Sequence, residues 1–362
     1  MRKLFFTLFL SFSILFSMEF GQMGSQSFGM AGTGVAVKNN HFALYYNPSL
    51  LATTTDDFTI QLYGDLTTRN KNFSKIFSLN LNNPDKSEIE KITKILEDNS
   101  LFVGSQSGGV TSWNNYKTGG FGVGVFLNIQ AYGSIEANLN KYDLRSNYTT
   151  LFLLEVPIGY AYEFVTYGGD ISIGIATKFM SLSANGGELL INNSTNMSDS
   201  IKDFVKFDMN NKDYSYGIDL GISYEPFEWW NIAFVAKNVN TPTFKINGTE
   251  YKIDPQLRAG TSFTWDFFTL ATDIDVMSNK YMYNDKEEQQ LVSLGTSFDF
   301  DWFVLRAGVN YDLKHTDDIV YSLGLGITIF DIGIQFGQKT NPVNGMRIPD
   351  YVSFQIGTGF TF

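Results

Sequence analysis

The sequence predicts an all-β fold, a transmembrane antiparallel β-barrel of about fourteen strands with an N-terminal plug inside its lumen. Three observations lead there. Segments of roughly ten residues alternate apolar and polar side chains along most of the chain, the length of a tilted membrane strand. The last segment, Tyr351–Phe362, puts Val352, Phe354, Ile356, Thr358, Phe360 and Phe362 on one face and Ser353, Gln355, Gly357, Gly359 and Thr361 on the other. The N-terminus reads as an export signal, and no later apolar run approaches it in length.

The elements follow in chain order. Met1-Arg-Lys3 is basic, Leu4 to Ser17 is apolar with small hydroxyls, and Glu19 is the first acid, the layout of a secretory signal peptide over 1–18. This stretch of fourteen residues is short against the ~20 that a spanning helix needs. Residues 19–56 do not read as membrane strand. Phe28–Val37 is glycine-rich and apolar, and Ala43–Ala52 carries the turn-forming Asn47-Pro48 between apolar flanks. Gly29, Gly32 and Gly34 allow close packing or positive φ. A compact apolar segment too short for spanning strands is expected inside the barrel, as a plug.

Residues 57–362 form the expected barrel. Its strands are Phe58–Thr68, Leu101–Ser112, Gly119–Ala131, Thr150–Phe164, Asp170–Leu182, Lys212–Glu225 and Glu228–Lys237, then Gln256–Trp265, Phe267–Ser278, Gln289–Asp299, Asp301–Asp312, Ile319–Ile329, Phe330–Gln338 and Tyr351–Phe362. Phe73–Leu81 is a further candidate. Tight connections alternate with long ones rich in Asn, Asp, Lys and Ser, the pattern of short turns on one rim and long loops on the other. Asp85-Lys-Ser-Glu88 has capping-box spacing, and Ile89, Ile92, Ile95 and Leu96 follow at helical intervals, so a short helix is expected near 86–98. The last strand should pair with Phe58–Thr68 to close the ring.

Composition agrees with the class. The chain has 33 Phe, 19 Tyr and 33 Gly, suited to lipid-facing strands, interfacial girdles and tight turns. Charged residues are 17%, below the ~25% of a soluble domain. Mean hydropathy, −0.09, is uninformative because alternating strands average out. There is no cysteine, and a closed barrel needs none to satisfy its backbone. The net charge of −11 argues against nucleic acid as a partner.

Enzymatic chemistry finds little support. The two histidines, His41 and His315, lack a partner motif, so no catalytic residue is expected. No metal site and no cofactor are expected either. Gly29, Gly32 and Gly34 do not have dinucleotide-fingerprint spacing and lie in no βαβ unit. Asp273 and Asp275 are more simply read as pointing into a wet lumen than as holding calcium. Arg258 and Arg306 each precede Ala-Gly within a strand and are expected inward, paired with lumen acids such as Asp273.

Gly29–Val37 followed by Ala43–Ser49 resembles the N-terminal hatch of the long-chain fatty-acid transporter (FadL) superfamily, where a fourteen-stranded barrel is plugged by a segment carrying an Asn-Pro-Ala element. Here Ser49 replaces that Ala. The closer likeness is to the conjugal-transfer TraF-like branch, also similar to PorV-type barrels, through Val235–Phe244, Tyr251–Gly260, Leu270–Asp275 and Leu305–Leu313. A thioredoxin-like conjugation protein shares the TraF label, but a chain without cysteine cannot do thiol redox chemistry. The resemblance implies the outer membrane of a Gram-negative-type bacterium, with membrane lipid and the barrel-insertion machinery as partners. The closing strand with Phe354, Ile356, Phe360 and Phe362 is similar to the signal which that machinery reads.

Two functions are implied. One is transport or binding of a hydrophobic small molecule, with Gly29, Gly32, Gly34, Tyr45, Tyr46, Asn47 and Pro48 as gating candidates. The other is a docking barrel for a conjugation or secretion apparatus. An apolar surface facing the lumen beside the hatch would favour the first, and a lumen packed shut with polar side chains the second.

Overall fold

The structure, a computed structural model, describes residues 21–54, 58–71, 94–95, 99–115, 118–138, 143–191, 211–281, 284–300, 302–314, 319–343 and 346–361. The signal peptide, the candidate strand Phe73–Leu81, His315 and Phe362 lie outside these residues. So does the helix expected near 86–98, except for Lys94 and Ile95, which are helical.

All fourteen predicted membrane strands are present. They are β1 (Phe58–Lys71), β2 (Ser100–Asn115), β3 (Gly119–Asn138), β4 (Asp143–Phe164), β5 (Asp170–Ile191), β6 (Lys212–Phe227), β7 (Trp230–Lys237), β10 (Gln256–Trp265), β11 (Phe268–Asp275), β14 (Leu291–Phe300), β15 (Phe303–Asp312), β16 (Ile319–Ile327), β17 (Phe330–Gly337) and β20 (Tyr351–Thr361). They form one closed ring in chain order. β20 closes it against β1 through eleven register pairs, from Thr59↔Thr361 to Arg69↔Tyr351. Closure matters because an unpaired backbone group in lipid costs several kcal/mol, and only a closed sheet pairs them all.

The connections β2–β3, β4–β5, β6–β7, β10–β11, β14–β15 and β16–β17 are tight and share one rim with the start of β1 and the end of β20. The opposite rim carries the longer connections and, among the described residues, three small hairpins outside the ring: β8 (Thr243–Ile246) with β9 (Thr249–Lys252), β12 (Asn279–Tyr281) with β13 (Asn284–Gln289), and β18 (Thr340–Val343) with β19 (Met346–Pro349). β3, β4 and β5 reach further towards this rim than predicted.

Burial follows the alternation. On β20, Ser353 and Gln355 are buried while Phe354 and Ile356 are 58% and 64% exposed, so the apolar face is the outer one. The same holds for Leu62 and Leu66 on β1, Ile173 and Ile175 on β5 and Leu323 on β16. Exposed apolar side chains on every side of a closed ring are the signature of a wall solvated by lipid. Near the short-connection rim Trp229, Trp230, Phe263, Trp265 and Phe268 stack in series, Trp229 and Trp265 at 5.9 Å and 14°. Such a belt suits the membrane interface. Between Leu305, Leu323, Ile332 and Phe354 the outer wall carries an apolar groove of about 740 Å³.

Among the described residues the ring ladder is interrupted at three places, one of them the register shift between Tyr224 and Phe227 where β6 turns into β7. Pro157 has no N–H to give, and the β3–β4 pairing passes from Val123↔Ile158 to Phe126↔Glu155. Between β1 and β2 the pairing breaks at Asp65 and Leu66. There the Asp65 carboxylate accepts from Gln106 N (2.8 Å), and the Ser105 hydroxyl donates to the Asp65 carbonyl (2.7 Å).

Ile356 stands in the middle of β20, facing lipid. Replacing it with Arg should destabilise the barrel by about 2–4 kcal/mol, as a cation at mid-bilayer does. Urea titration of the barrel refolded in vesicles, followed by tryptophan fluorescence, checks this value.

Candidate functional site

Residues 21–54 lie within the ring, almost wholly buried. They contain α1 (Ser25–Gly29), α2 (Ala43–Tyr46) and a 3-10 turn (Pro48–Ala52). α1 packs on β15, β16, β17 and β20, and the 3-10 turn packs on β2 to β6, so the segment reaches opposite sides of the wall. The predicted plug residues divide by role. Gly32 has φ +87°, which favours glycine. Gly29 lies against Arg306 and Gly324, and Gly34 against Ser27 and Tyr46. Tyr45 meets Phe126 edge-on at 5.2 Å, and the Lys237 ammonium lies 3.6 Å from its ring centroid. Tyr46 is fully buried, and that burial pushes its phenol above the ordinary range, keeping it neutral.

Asn47 is the knot of the plug. Its amide donates to Val35 O at 3.0 Å and Phe234 O at 3.5 Å. Its Oδ1 accepts from Ser49 N (3.1 Å) and from the Ser49 hydroxyl (2.8 Å). Ser49, the departure from the resembled Asn-Pro-Ala element, thus gives Asn47 a second donor. Pro48 begins the 3-10 turn, where its missing N–H is no loss. Gly174 and Gly221 face each other across β5 and β6 and leave the flat floor on which Asn47-Pro48-Ser49 rests. A Cβ at Gly221 would overlap Asn47 Oδ1.

The lumen polar residues are all inward, with partners that differ from the expectation. Arg258 pairs with Asp275 at 2.6 Å, not with Asp273. Arg306 pairs with Asp331. Asp273 instead holds the plug backbone, accepting from Gly34 N (2.8 Å) and Val35 N (3.0 Å). Nor are Asp273 and Asp275 in a wet lumen, since they are 2% and 1% exposed. The plug fills the space that water was expected to fill, and its amides take the place of solvent. Asp275 also accepts from Leu291 N at 2.9 Å.

Sequence reading missed the other tethers. Asn231 and Ser262 both donate to Ala36 O at 2.7 Å, and Gln335 donates to Phe28 O at 2.8 Å. Lys38 pairs with Glu225 at 2.6 Å near the short-connection rim. Inward Asn, Ser and Gln are ordinary for a barrel lumen, so nothing in the sequence marked them. His41 is half-buried in the plug. Among the described residues no group of three or more His, Asp or Glu side chains is placed to hold a metal ion.

A cavity of about 50 Å³ remains beside Gly21 and Gln22, lined by Asp65, Arg69, Gln106, Asn128, Gln130 and Gln335 among others. That admits about four waters and is far below the ~300 Å³ at which small-molecule pockets begin. A different surface lies on the long-loop side of the plug. Leu151 and Leu153 on β4 and Met180, Leu182 and Ala184 on β5 all point inward and are buried, an apolar wall inside a largely polar lumen. Phe244 and Ile246 of the β8–β9 hairpin, with Ile253 after it, cover that wall. The signal for this hairpin was in the sequence. Asn247-Gly248 between alternating residues marks a two-residue turn, and both adopt positive φ, +52° and +81°. Just below the wall, Lys178 is ion-paired with Glu155 (3.0 Å) and Asp219 (3.1 Å), all three buried.

A family model described as "F plasmid transfer operon, TraF, protein" matches residues 44–275. Among solved structures the chain is similar to the toluene transporter TodX of Pseudomonas putida, with TM-score 0.59 and 17% identity over 95% of this chain and 98% of that one. The toluene transporter TbuX of Ralstonia pickettii gives TM-score 0.59 and 15% identity over 94% and 98%. A FadL homologue from Pseudomonas aeruginosa gives TM-score 0.59 and 12% identity over 96% and 100%. At these identities the likeness establishes the fold. No curated protein matches the chain in sequence.

Asp273→Ala leaves two buried plug N–H groups without their acceptor, a loss of about 2–4 kcal/mol locally. Hydrogen exchange at Gly34 and Val35 should accelerate while exchange along β11 changes little, which mass spectrometry of backbone exchange measures.

Proposed function

The chain belongs to the family described as F plasmid transfer operon TraF protein, whose model spans more than half of it, and from its barrel and inner surface we propose that it is an outer-membrane barrel for uptake of a hydrophobic small molecule. In this reading the segment 1–18 is removed on export, and the plug must yield for a molecule to pass.

One observation carries the proposal. The inward wall of Leu151, Leu153, Met180, Leu182 and Ala184 is apolar where a barrel lumen is ordinarily polar. Such a wall has no use in a water-filled pore and is not part of the plug seat, which lies nearer the short-connection rim. A molecule burying about 200 Å² of apolar surface there would gain roughly 5 kcal/mol, a dissociation constant on the order of 0.2 mM. The fold shared with the toluene transporters TodX and TbuX supports the same reading.

A docking barrel for a conjugation or secretion apparatus is the second reading. It is favoured by the family description and by the tightness of the lumen around the plug. The two readings differ in one measurement. Cells making the protein should take up the hydrophobic dye N-phenyl-1-naphthylamine through an intact outer membrane at least threefold faster than cells lacking it. Leu153→Asn with Leu182→Asn should return the rate to baseline. Equal rates with and without the protein would favour docking.

A further inference from the structure

We infer that the β8–β9 hairpin is a built-in competitor for the ligand, its Phe244 and Ile246 occupying the place on the inner wall where a compact, neutral hydrophobe binds. This rests on the uptake reading above and states what regulates that site and what class of molecule fits it.

The hairpin is not part of the ring. β8 and β9 pair only with each other, as a two-stranded sheet of four residues each. An isolated two-stranded hairpin is marginally stable in water and needs an apolar surface to rest on. Its surface is the wall, where Phe244 is 0% and Ile246 3% exposed. Its polar tethers to the barrel include two side-chain to backbone contacts: Lys245 N donates to Asp213 Oδ2 at 2.6 Å, and Thr243 N to Ser215 Oγ at 3.3 Å. Such tethers exchange readily with water. A ligand that took over the wall would replace the contacts of Phe244 and Ile246, with Ile253 beside them, and leave the ring ladder untouched.

The wall also limits the ligand. On β5 it spans the inward positions Met180, Leu182 and Ala184, two steps of about 7 Å each. The side chains now seated there, Phe244 and Ile246, present an aromatic ring and a short branched alkyl group, and those are the shapes that a competing molecule replaces. Charge points the same way. Lys178, the inward residue next to Met180, is already bound by two carboxylates, so it offers no vacant partner for an anionic head group.

The test uses the full-length barrel in amphipol, with empty amphipol as reference and a heat-dependent gel shift to verify folding. Binding of naphthalene and of dodecanoate is measured for the wild type, for Phe244→Ser with Ile246→Ser, and for residues 243–252 replaced by a Gly-Ser linker of equal length. Naphthalene should bind at least tenfold more tightly to both hairpin variants than to the wild type, and dodecanoate should bind more weakly than naphthalene throughout. If wild type and folded variants bind naphthalene equally, the competition is overturned while the uptake reading stands. If dodecanoate is preferred, the neutral class is wrong. If no folded form binds either compound, the uptake reading itself falls.

Discussion

Closure of the sheet on itself is the constraint on which everything else in this molecule depends. Lipid offers no hydrogen bonds, so β1 and β20 must meet, and the ring they close fixes which face of each strand is outer and which is inner. The outer face then has to be apolar. The inner face encloses a space that fourteen strands leave too wide for their own side chains to fill. The plug is the answer to that second consequence, and its composition follows from it. It needs glycine where its backbone lies on the wall, as at Gly29 against Gly324. It needs polar partners where its amides are buried, as Asp273 supplies for Gly34 and Val35.

Two kinds of inner surface result, and they differ in reversibility. The plug seat combines apolar packing of Leu44, Leu51 and Phe126 with buried hydrogen bonds from Asn47, Asn231, Ser262 and Gln335. Removing the Asn47 side chain takes the buried partners from Val35 O and Ser49 N, and Ala36 O is held by two donors, which keeps the seat in register. The upper wall has no such network. It is held by apolar contact with a hairpin of marginal intrinsic stability, so the same inner surface of β4 and β5 is fixed near the short-connection rim and exchangeable near the loops.

Much of this was legible in the sequence, for a physical reason. Alternation with period two is imposed by lipid on one side, so all fourteen strands, their order and the β1–β20 seam could be read from it. The plug could be read because Gly29, Gly32, Gly34 and Asn47-Pro48 are local backbone signals. Partner choice in the lumen was not legible. Arg258 had Asp273 and Asp275 as neighbouring acids on the adjacent strand, and which one it takes depends on where the plug amides fall, a contact more than two hundred residues apart in sequence. The reach of β3 to β5 past their predicted ends escaped because alternation fades where lipid no longer enforces it. The β8–β9 hairpin escaped although Asn247-Gly248 announced it, because a four-residue strand is too short for periodicity to carry.

The account turns on whether the hairpin must leave the wall before a hydrophobe can pass. The chain has no cysteine, so a pair introduced at Thr243 and Ser215, where Thr243 N donates to Ser215 Oγ at 3.3 Å, would be the one thiol pair available to tie the hairpin to β6. The uptake rate of the naphthylamine dye in cells carrying this pair, oxidised and then reduced, is the direct measurement. The rate should fall at least fivefold on oxidation and recover on reduction. Equal rates in the two states, with the disulfide shown to form, would contradict the account.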